Sequence, residues 1–207
     1  MFVRTTYVYS KSIDLSSNTA GVLAAQNPWN LGAERGRSDF DVGHTFLASF
    51  IWAPSFSRNY LLRDWQISGT SSAYTGLPFN PQVANYDVTV GGASRPDRIA
   101  KGALDNPTPD QWFSRSAFPV VPVGGFRYGN SGRNVLDGPG FFNLNVGLSR
   151  RFRIKDTKAV QFRTEAFNIT NRANFGLPNP QVDTTVGGTI TTAKSPRQIQ
   201  MALRLEF

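Results

Sequence analysis

The chain has 207 residues, no cysteine and a single histidine, His44. Without cysteine, a disulfide-held fold and thiolate chemistry are both excluded. One histidine cannot form a histidine-rich metal cluster, and a catalytic triad would depend on His44 alone. His44 stands at the start of a predicted strand, where a hydrogen-bonded structural role is more common than catalysis. Because no other grouping of acid, base and nucleophile is visible, we expect that the protein is not an enzyme and needs no cofactor or metal ion.

Long apolar runs are missing too. No run comes close to the roughly 20 residues that a membrane-spanning helix needs, which excludes a helical membrane protein. Residues 1–6 have the composition of a strand and lack the charged region and apolar core of an export signal. Either the export signal lies in a missing upstream part, or the protein is cytoplasmic, and we favour the first explanation.

Acidic residues are too few to balance the basic ones, and the formal net charge is +8. Much of the excess lies in the last third of the chain, at Arg150, Arg151, Arg153, Lys155 and Lys158. A nucleic-acid site is one interpretation, and a solvated turn with a polar strand face is the other. No aromatic residues are interleaved with these charges as a base-stacking platform requires. We therefore favour the polar strand face and expect no nucleic-acid partner.

The clearest pattern is in the last eleven residues, 197–207. Apolar side chains alternate with polar ones, apart from the small Ala202, so the segment predicts a strand with one apolar and one polar face. It ends on an aromatic residue, whereas chain ends are usually polar and frayed. An outer-membrane barrel uses such a strand well, because its lipid face takes the apolar set and its lumen takes the polar set. The apolar set is Ile199, Met201, Leu203, Leu205 and Phe207.

Five further strands are predicted from alternation and from β-branched and aromatic residues. They cover residues 2–11, 43–53, 61–76, 142–154 and 159–170. Within 142–154, Arg150 interrupts an apolar row near the strand end, where its long stem could reach the membrane interface. The faces of 43–53 stay open, because it is apolar on both phases in places.

The connections alternate in length. Segments 54–60 and 155–158 are short, whereas 12–41, 77–140 and 171–196 are long. If the final strand ends in the periplasm, both short turns lie there and all long loops lie outside, as in transmembrane barrels. Loop 77–140 is rich in proline and glycine, and we expect a hairpin of 87–90 with 117–121 inside it.

Six strands do not close a membrane barrel, because an open edge in lipid leaves backbone groups unsatisfied. We therefore expect an all-β, antiparallel, up-and-down transmembrane barrel segment, with residues 1–207 forming the C-terminal part of a larger barrel.

Several short motifs, in this order and spacing, resemble the late barrel of TonB-dependent outer-membrane receptors. The closest resemblance is to the Oar-like group that carries a carboxypeptidase-regulatory-type N-terminal domain. The motifs are Asp41–His44, Trp65–Gly69, Thr75–Phe79, Gly129–Asn134, Gly138–Gly140, Arg163–Asn168 with Asn171 and Asn174–Phe175, and Pro196–Gln200.

The resemblance implies an outer-membrane protein that binds and imports a ligand with energy supplied through TonB. It implies a barrel of about 22 strands with a plugged lumen. The plug domain and the remaining strands are not in this sequence. It also implies that the barrel-assembly machinery reads the final strand, here the Ile199 to Leu205 row and Phe207. The remaining expected partners are outer-membrane lipid and an unidentified ligand.

Two further groups of candidate residues follow. Arg163 and Glu165, with Arg204 and Glu206, are expected on the lumen face, where structural pairing is favoured over ligand contact. A set of aromatic residues in or beside the long loop could grip a ligand or pack the loop on itself, and we favour packing. These are Tyr74, Phe79, Tyr86, Trp112, Phe113, Phe126 and Tyr128. The competing hypothesis is a soluble β-sandwich binding module of carbohydrate type that uses these aromatics.

Overall fold

A computed structural model describes residues 1–17, 25–54, 63–84, 95–122, 125, 127–155 and 158–207. Its main feature is a six-stranded sheet. In chain order the strands are β1 (Phe2–Tyr9), β2 (His44–Trp52), β3 (Trp65–Tyr74), β4 (Phe141–Lys155), β5 (Lys158–Phe167) and β6 (Gln198–Glu206). Each strand begins and ends within four residues of a predicted one, because β-branched, aromatic and alternating residues favour extended pairing.

Every strand pairs antiparallel with its neighbour in sequence, so the sheet is an up-and-down meander. Residues opposite each other share a face, and the register therefore fixes the faces that the sequence left open in β2. Phe46 lies between Tyr7 and Ala73, and Phe50 lies between Val3 and Gly69. Within the described residues no pairing joins β1 to β6, so this sheet has two open edges.

The two ends of the sheet differ. One end, here called the turn edge, holds the short connections after β2 and β4 and the end of β6. The opposite end, the loop edge, holds the three long connections, residues 10–43, 75–140 and 168–197. This is the alternation that the loop lengths predict. Residues 55–62 and 156–157 of the short turns lie outside the described residues.

The long connections fold together into a cap at the loop edge. Two-residue strands pair within it, Ile13–Asp14 with Gly36–Arg37 and Pro78–Phe79 with Leu136–Asp137. Backbone hydrogen bonds join the second and third connections. Gln82 N donates to Pro180 O and Val182 N donates to Gln82 O, both at 2.9 Å.

The hairpin expected in the second connection lies elsewhere. Residues 87–90 fall outside the described residues, and 117–121 form no strand, so the expected pairing partner was wrong. Pro119 lies inside that segment and removes a backbone donor, which disfavours pairing. The observed hairpin joins Ala103–Thr108 to Gln111–Phe113.

The apolar core lies in the cap rather than in the sheet. Seven buried residues form it: Phe79, Val83, Phe113, Ala117, Phe118, Leu136 and Val182. Burying one large apolar side chain stabilises a fold by about 1.5–3 kcal/mol, so this cluster can hold the cap together. Gly102 supports it at φ +77°, since a Cβ there would lie 2.2 Å from the Phe118 ring.

In the described part of the chain, no helix is long and apolar enough to cross a membrane. The two helical segments, Leu31–Glu34 and Arg115–Ala117, are single 3-10 turns.

The large sheet is a single layer. A β-sandwich needs a second sheet packed over the apolar face, and the described residues place none there. The soluble-sandwich alternative is therefore not supported.

Candidate functional site

The six-stranded sheet has one face that is mainly apolar, here called the apolar face. The register places the predicted row of β6 on it, together with matching rows of the other strands. Its larger members are Val3, Tyr7, Tyr9, Phe46, Phe50, Trp52, Trp65, Ile67, Phe142, Leu144, Val146, Leu148, Phe152, Val160, Phe162, Ile199, Met201, Leu203 and Leu205.

The apolar face is open rather than packed. Met201 and Leu203 are each 73% exposed, and the terminal Phe207 is 96% exposed. Soluble monomers rarely expose contiguous apolar patches on this scale. The nine residues of β6, at about 3.4 Å each and tilted by about 40°, rise about 23 Å, close to the 25 Å apolar band of a membrane barrel.

Aromatic side chains gather at both ends of the apolar face. At the loop edge, Tyr7 Oη and His44 Nδ1 form a 2.7 Å hydrogen bond, and the Tyr9 and His44 ring centroids lie 5.2 Å apart. At the turn edge lie Trp65 and Phe152. Two aromatic belts that flank an apolar band are typical of outer-membrane barrels. His44 is thus hydrogen-bonded to the neighbouring strand.

Arg150 lies on the apolar face, as the alternation predicts. Its side chain is buried under aromatic rings, with the guanidinium carbon 4.2 Å from the Phe152 ring centroid and 5.5 Å from that of Trp65. Phe152 is two residues nearer the turn edge, so the arginine stem runs toward that rim. Cation–π contact with two rings compensates part of the cost of a charge on this face.

The opposite face, here called the polar face, carries the four predicted lumen residues. Arg163 Nε donates to Glu165 Oε1 at 2.9 Å, and Gln200 of the neighbouring strand also donates to Glu165. Glu206 forms an ion pair with Arg151, and Arg204 Nε lies 4.0 Å from its carboxylate. All four residues therefore share one face and take part in ion pairs.

The middle of the polar face is lined by amides and hydroxyls. Asn145 Nδ2 donates to Thr70 Oγ1 at 3.3 Å, and Asn145 Oδ1 accepts from Asn143 Nδ2 at 3.1 Å. Gly147 stands between Ser68 and Glu165 and leaves a polar hollow of about 220 Å³ beside Arg163. Toward β1 and β2 this face becomes apolar, at Leu47 and Ile51 among others. Within the described part of the chain, the polar face also holds the hollows that sheet residues line.

A buried ion pair holds two of the cap connections together. Arg95 Nη1 lies 2.7 Å from Glu34 Oε2, and the two side chains are 6% and 2% exposed. Gln26 N donates to Glu34 Oε1 at 3.0 Å, and Arg133 Nε donates to the Glu34 carbonyl at 3.1 Å. Burial raises the pKa of Glu34, but the hydrogen bonds and charge of Arg95, with the backbone donors, outweigh this and lower it overall. A second, more exposed pair lowers the pKa of Asp97 through its hydrogen bonds from Arg127.

The loop aromatics divide into distinct settings. Phe79 and Phe113 are buried in the cap core, which fits packing of the loop on itself. Trp112 packs against that core and donates Nε1 to the Asp137 carbonyl at 2.8 Å. Tyr74 stacks on Phe141 at 4.5 Å between centroids, on the polar face at the loop edge.

Of the other predicted aromatics, Tyr128 is half-buried in the cap. Tyr86 and Phe126 lie outside the described residues.

The asparagines after β5 have a role that sequence reasoning did not assign. The Asn174 side chain accepts from Phe142 N and donates to Phe142 O, both at 2.9 Å. It thus forms the two backbone hydrogen bonds that a neighbouring strand would form with Phe142. Asn171 accepts from Arg197 N at 3.1 Å, just before β6 begins. Asn168, at φ +48°, bonds the backbone of Arg172. The regular spacing of Asn168, Asn171 and Asn174 is the sequence signal that could have indicated this role.

Among the described residues, no cluster of three or more histidine or acidic side chains could hold a metal ion.

Comparison with known proteins gives one match. A family model described as an outer membrane beta barrel domain matches residues 1–200. No curated protein matches the chain, and no solved structure matches it.

Proposed function

The chain belongs to the outer membrane beta barrel domain family and is therefore a bacterial outer-membrane protein, and we propose that it forms the C-terminal part of a TonB-dependent receptor barrel. The observation that carries this is the single-layer meander with an exposed apolar face, a polar face and all long connections at one edge. The finer assignment to the TonB-dependent, Oar-like group is supported by the sequence motifs.

The orientation follows from the connections. Short turns of membrane barrels lie in the periplasm and long loops outside the cell. The turn edge is then periplasmic, the cap is extracellular and the polar face lines a lumen. In this arrangement the cap meets the ligand first, and the polar face lines the route inward.

The open edges require partners, because an unpaired strand edge in lipid leaves backbone donors and acceptors unsatisfied. We propose that other strands of the same receptor pair with β1 and β6, giving a barrel of about 22 strands with a plugged lumen. Coupling to TonB would be supplied by the plug-bearing part. The barrel-assembly machinery would read β6 and Phe207.

Fractionation of the complete gene product tests the barrel, and ligand uptake tests the coupling. We expect the product in the outer membrane, with gel migration that changes on heating. We also expect uptake of its ligand to stop in cells that lack TonB. Recovery in the soluble fraction would refute the barrel, whereas normal uptake without TonB would refute only the coupling.

A further inference from the structure

Four arginines gather on the polar face near the turn edge, and they are called here the arginine patch. Arg151 and Arg204 stand on either side of Gln161 in one row across β4, β5 and β6. Arg163 lies in the next row toward the loop edge, and Arg153 lies in the next row toward the turn edge. Neighbouring strands are about 4.8 Å apart, so the four Cα atoms fall within roughly 15 Å of one another.

The arginines, not the carboxylates, form the exposed layer of this patch. The Arg151, Arg163 and Arg204 side chains are 54%, 60% and 75% exposed, whereas Glu165 and Glu206 are 21% and 26% exposed. Each glutamate side chain is thus less exposed than the arginine with which it pairs. A molecule that approaches the patch from the lumen meets N–H donors and positive charge.

The patch is not neutralised by its own carboxylates. Four guanidinium groups face two carboxylates, and within the described part of the chain Arg153 forms no ion pair. Each guanidinium has five N–H donors in a planar fork, and Arg163 uses its Nε and Nη2 groups on Glu165. Donors for a further acceptor therefore remain on several of these side chains.

Space for a small group lies next to the patch. The hollow at Gly147, about 220 Å³, is lined by Arg163, by polar side chains that include Ser149, Gln161 and Gln66, and by Glu165, whose carboxylate is paired with Arg163. Pockets for whole drug-sized ligands measure roughly 300–1,000 Å³. The hollow therefore suits one charged group of a ligand better than an entire large molecule.

We propose that the arginine patch binds a phosphate or carboxylate group of the molecule that crosses the lumen. This rests on the proposed function, since it takes the polar face as a lumen wall. Guanidinium forks match the geometry of both oxyanions, and rings of arginine or lysine give pores a preference for anions. Lipid headgroups are not the source of the anion, because lipid contacts the opposite face of the sheet.

The polar face also orders the contacts along the route. The stacked Tyr74 and Phe141 pair lies at the loop edge, the amides and hydroxyls around Asn145 lie in the middle, and the patch lies at the turn edge. An imported anion would therefore meet the arginines last, before it leaves into the periplasm.

Calorimetric titration of the purified complete gene product in neutral detergent tests the proposal. The probes are inorganic pyrophosphate and citrate, with maltose as the uncharged comparison. We expect both anions to bind and maltose not to bind. Replacement of all four arginines by glutamine should weaken anion binding by at least about tenfold. Binding should also weaken as salt rises, because the groups are exposed and the screening length is about 8 Å at 0.15 M.

Arg153→Gln and Arg4→Gln form the matched pair. Both remove an arginine charge from the polar face, but Arg4 is on β1, far across the sheet from the patch. Arg153→Gln should weaken anion binding several-fold and Arg4→Gln should not. Because Arg153 forms no ion pair with another described residue, its replacement keeps the test usable if the fourfold variant does not assemble.

The outcomes separate the two proposals. A wild-type product that sits in the outer membrane but binds neither anion overturns the patch and leaves the barrel intact. Equal losses in Arg153→Gln and Arg4→Gln overturn it too, because they show a general charge effect. A product found in the soluble fraction refutes the proposed function itself.

Discussion

The buried pair of Glu34 and Arg95 makes the sharpest prediction about the cap. Replacing Glu34 by alanine leaves the Arg95 guanidinium 6% exposed and without its carboxylate. Breaking a buried ion pair on one side costs about 3–5 kcal/mol. Each ~1.4 kcal/mol changes an equilibrium constant tenfold. We therefore expect the population in which the first two connections are locally open to rise by a factor on the order of 100 to 3,000.

Protease treatment of intact cells measures this opening. In the proposed orientation a protease outside the cell reaches the cap but not the turn edge, and cleavage tracks the open population when closing is fast. Asp105→Asn is the matched control, since it removes a cap carboxylate whose residue is exposed. Such surface changes usually stay within about 0.5 kcal/mol. If Glu34→Ala is cleaved no faster than the control, the pair does not hold the cap.

The pair of Glu34 and Arg95 also predicts that the stability of the cap depends on pH. The pKa of Glu34 is lowered in the folded protein from a model-compound value of 4.5. A lowered folded pKa means that the ionised form is favoured by folding, so its stabilisation is full above pH 4.5. It is lost as the pH falls through the folded pKa. Wild-type protease resistance should therefore decline below about pH 4.5, and Glu34→Gln should lack this step.

Three further substitutions test the sheet. Asn174→Ala removes two hydrogen bonds to the Phe142 backbone and should lower the free energy of unfolding by about 1–3 kcal/mol. The urea dependence of heat-modifiable gel migration measures this loss, and a variant that migrates like the wild type at every urea concentration would contradict the role of Asn174. Leu203→Arg on the apolar face should cost about 2–4 kcal/mol near the membrane centre, whereas Ala202→Arg on the polar face should be tolerated; equal folded fractions of the two would refute the face assignment. Deleting Phe207 from the full-length receptor should reduce outer-membrane levels more than ligand recognition, so normal receptor levels in the outer membrane would count against the assembly role.

The sheet was predictable from the sequence because its signal is local. Alternation with a period of two is visible within any ten residues, and the Leu203 and Ala202 faces follow from it directly. The faces of β2 were not predictable, because Phe46, Leu47, Phe50 and Ile51 are apolar on both phases. Their assignment needs the pairing of Phe50 with Gly69, where the ring covers the position that a Cβ would fill.

The cap was not predictable, because its contacts join distant parts of the chain. Glu34 and Arg95 are 61 residues apart, and Gln26 meets Gly129 across 103 residues. No local pattern marks such partners. For the same reason the sequence did not show which of the loop aromatics, such as Phe113, are buried in the cap core. The hairpin near 103–113 was missed because it is short and contains Pro107, a residue that argues against a strand.

The distribution of buried apolar residues indicates what stabilises each part. Of the buried apolar side chains in the described residues, only Ala159 lies in the six-stranded sheet, and the others lie in the long connections. The cap therefore carries its own core and can be weakened, as at Glu34, without loss of strand pairing. Among the described residues no second layer of protein covers the apolar face of the sheet, so its apolar side chains are stabilised by contact with lipid where those of a sandwich are stabilised by a facing sheet. Substitutions at Phe113 should then change stability by the same amount in detergent and in membranes. The effect of substitutions at Leu203 on stability should instead depend on the thickness of the surrounding apolar phase.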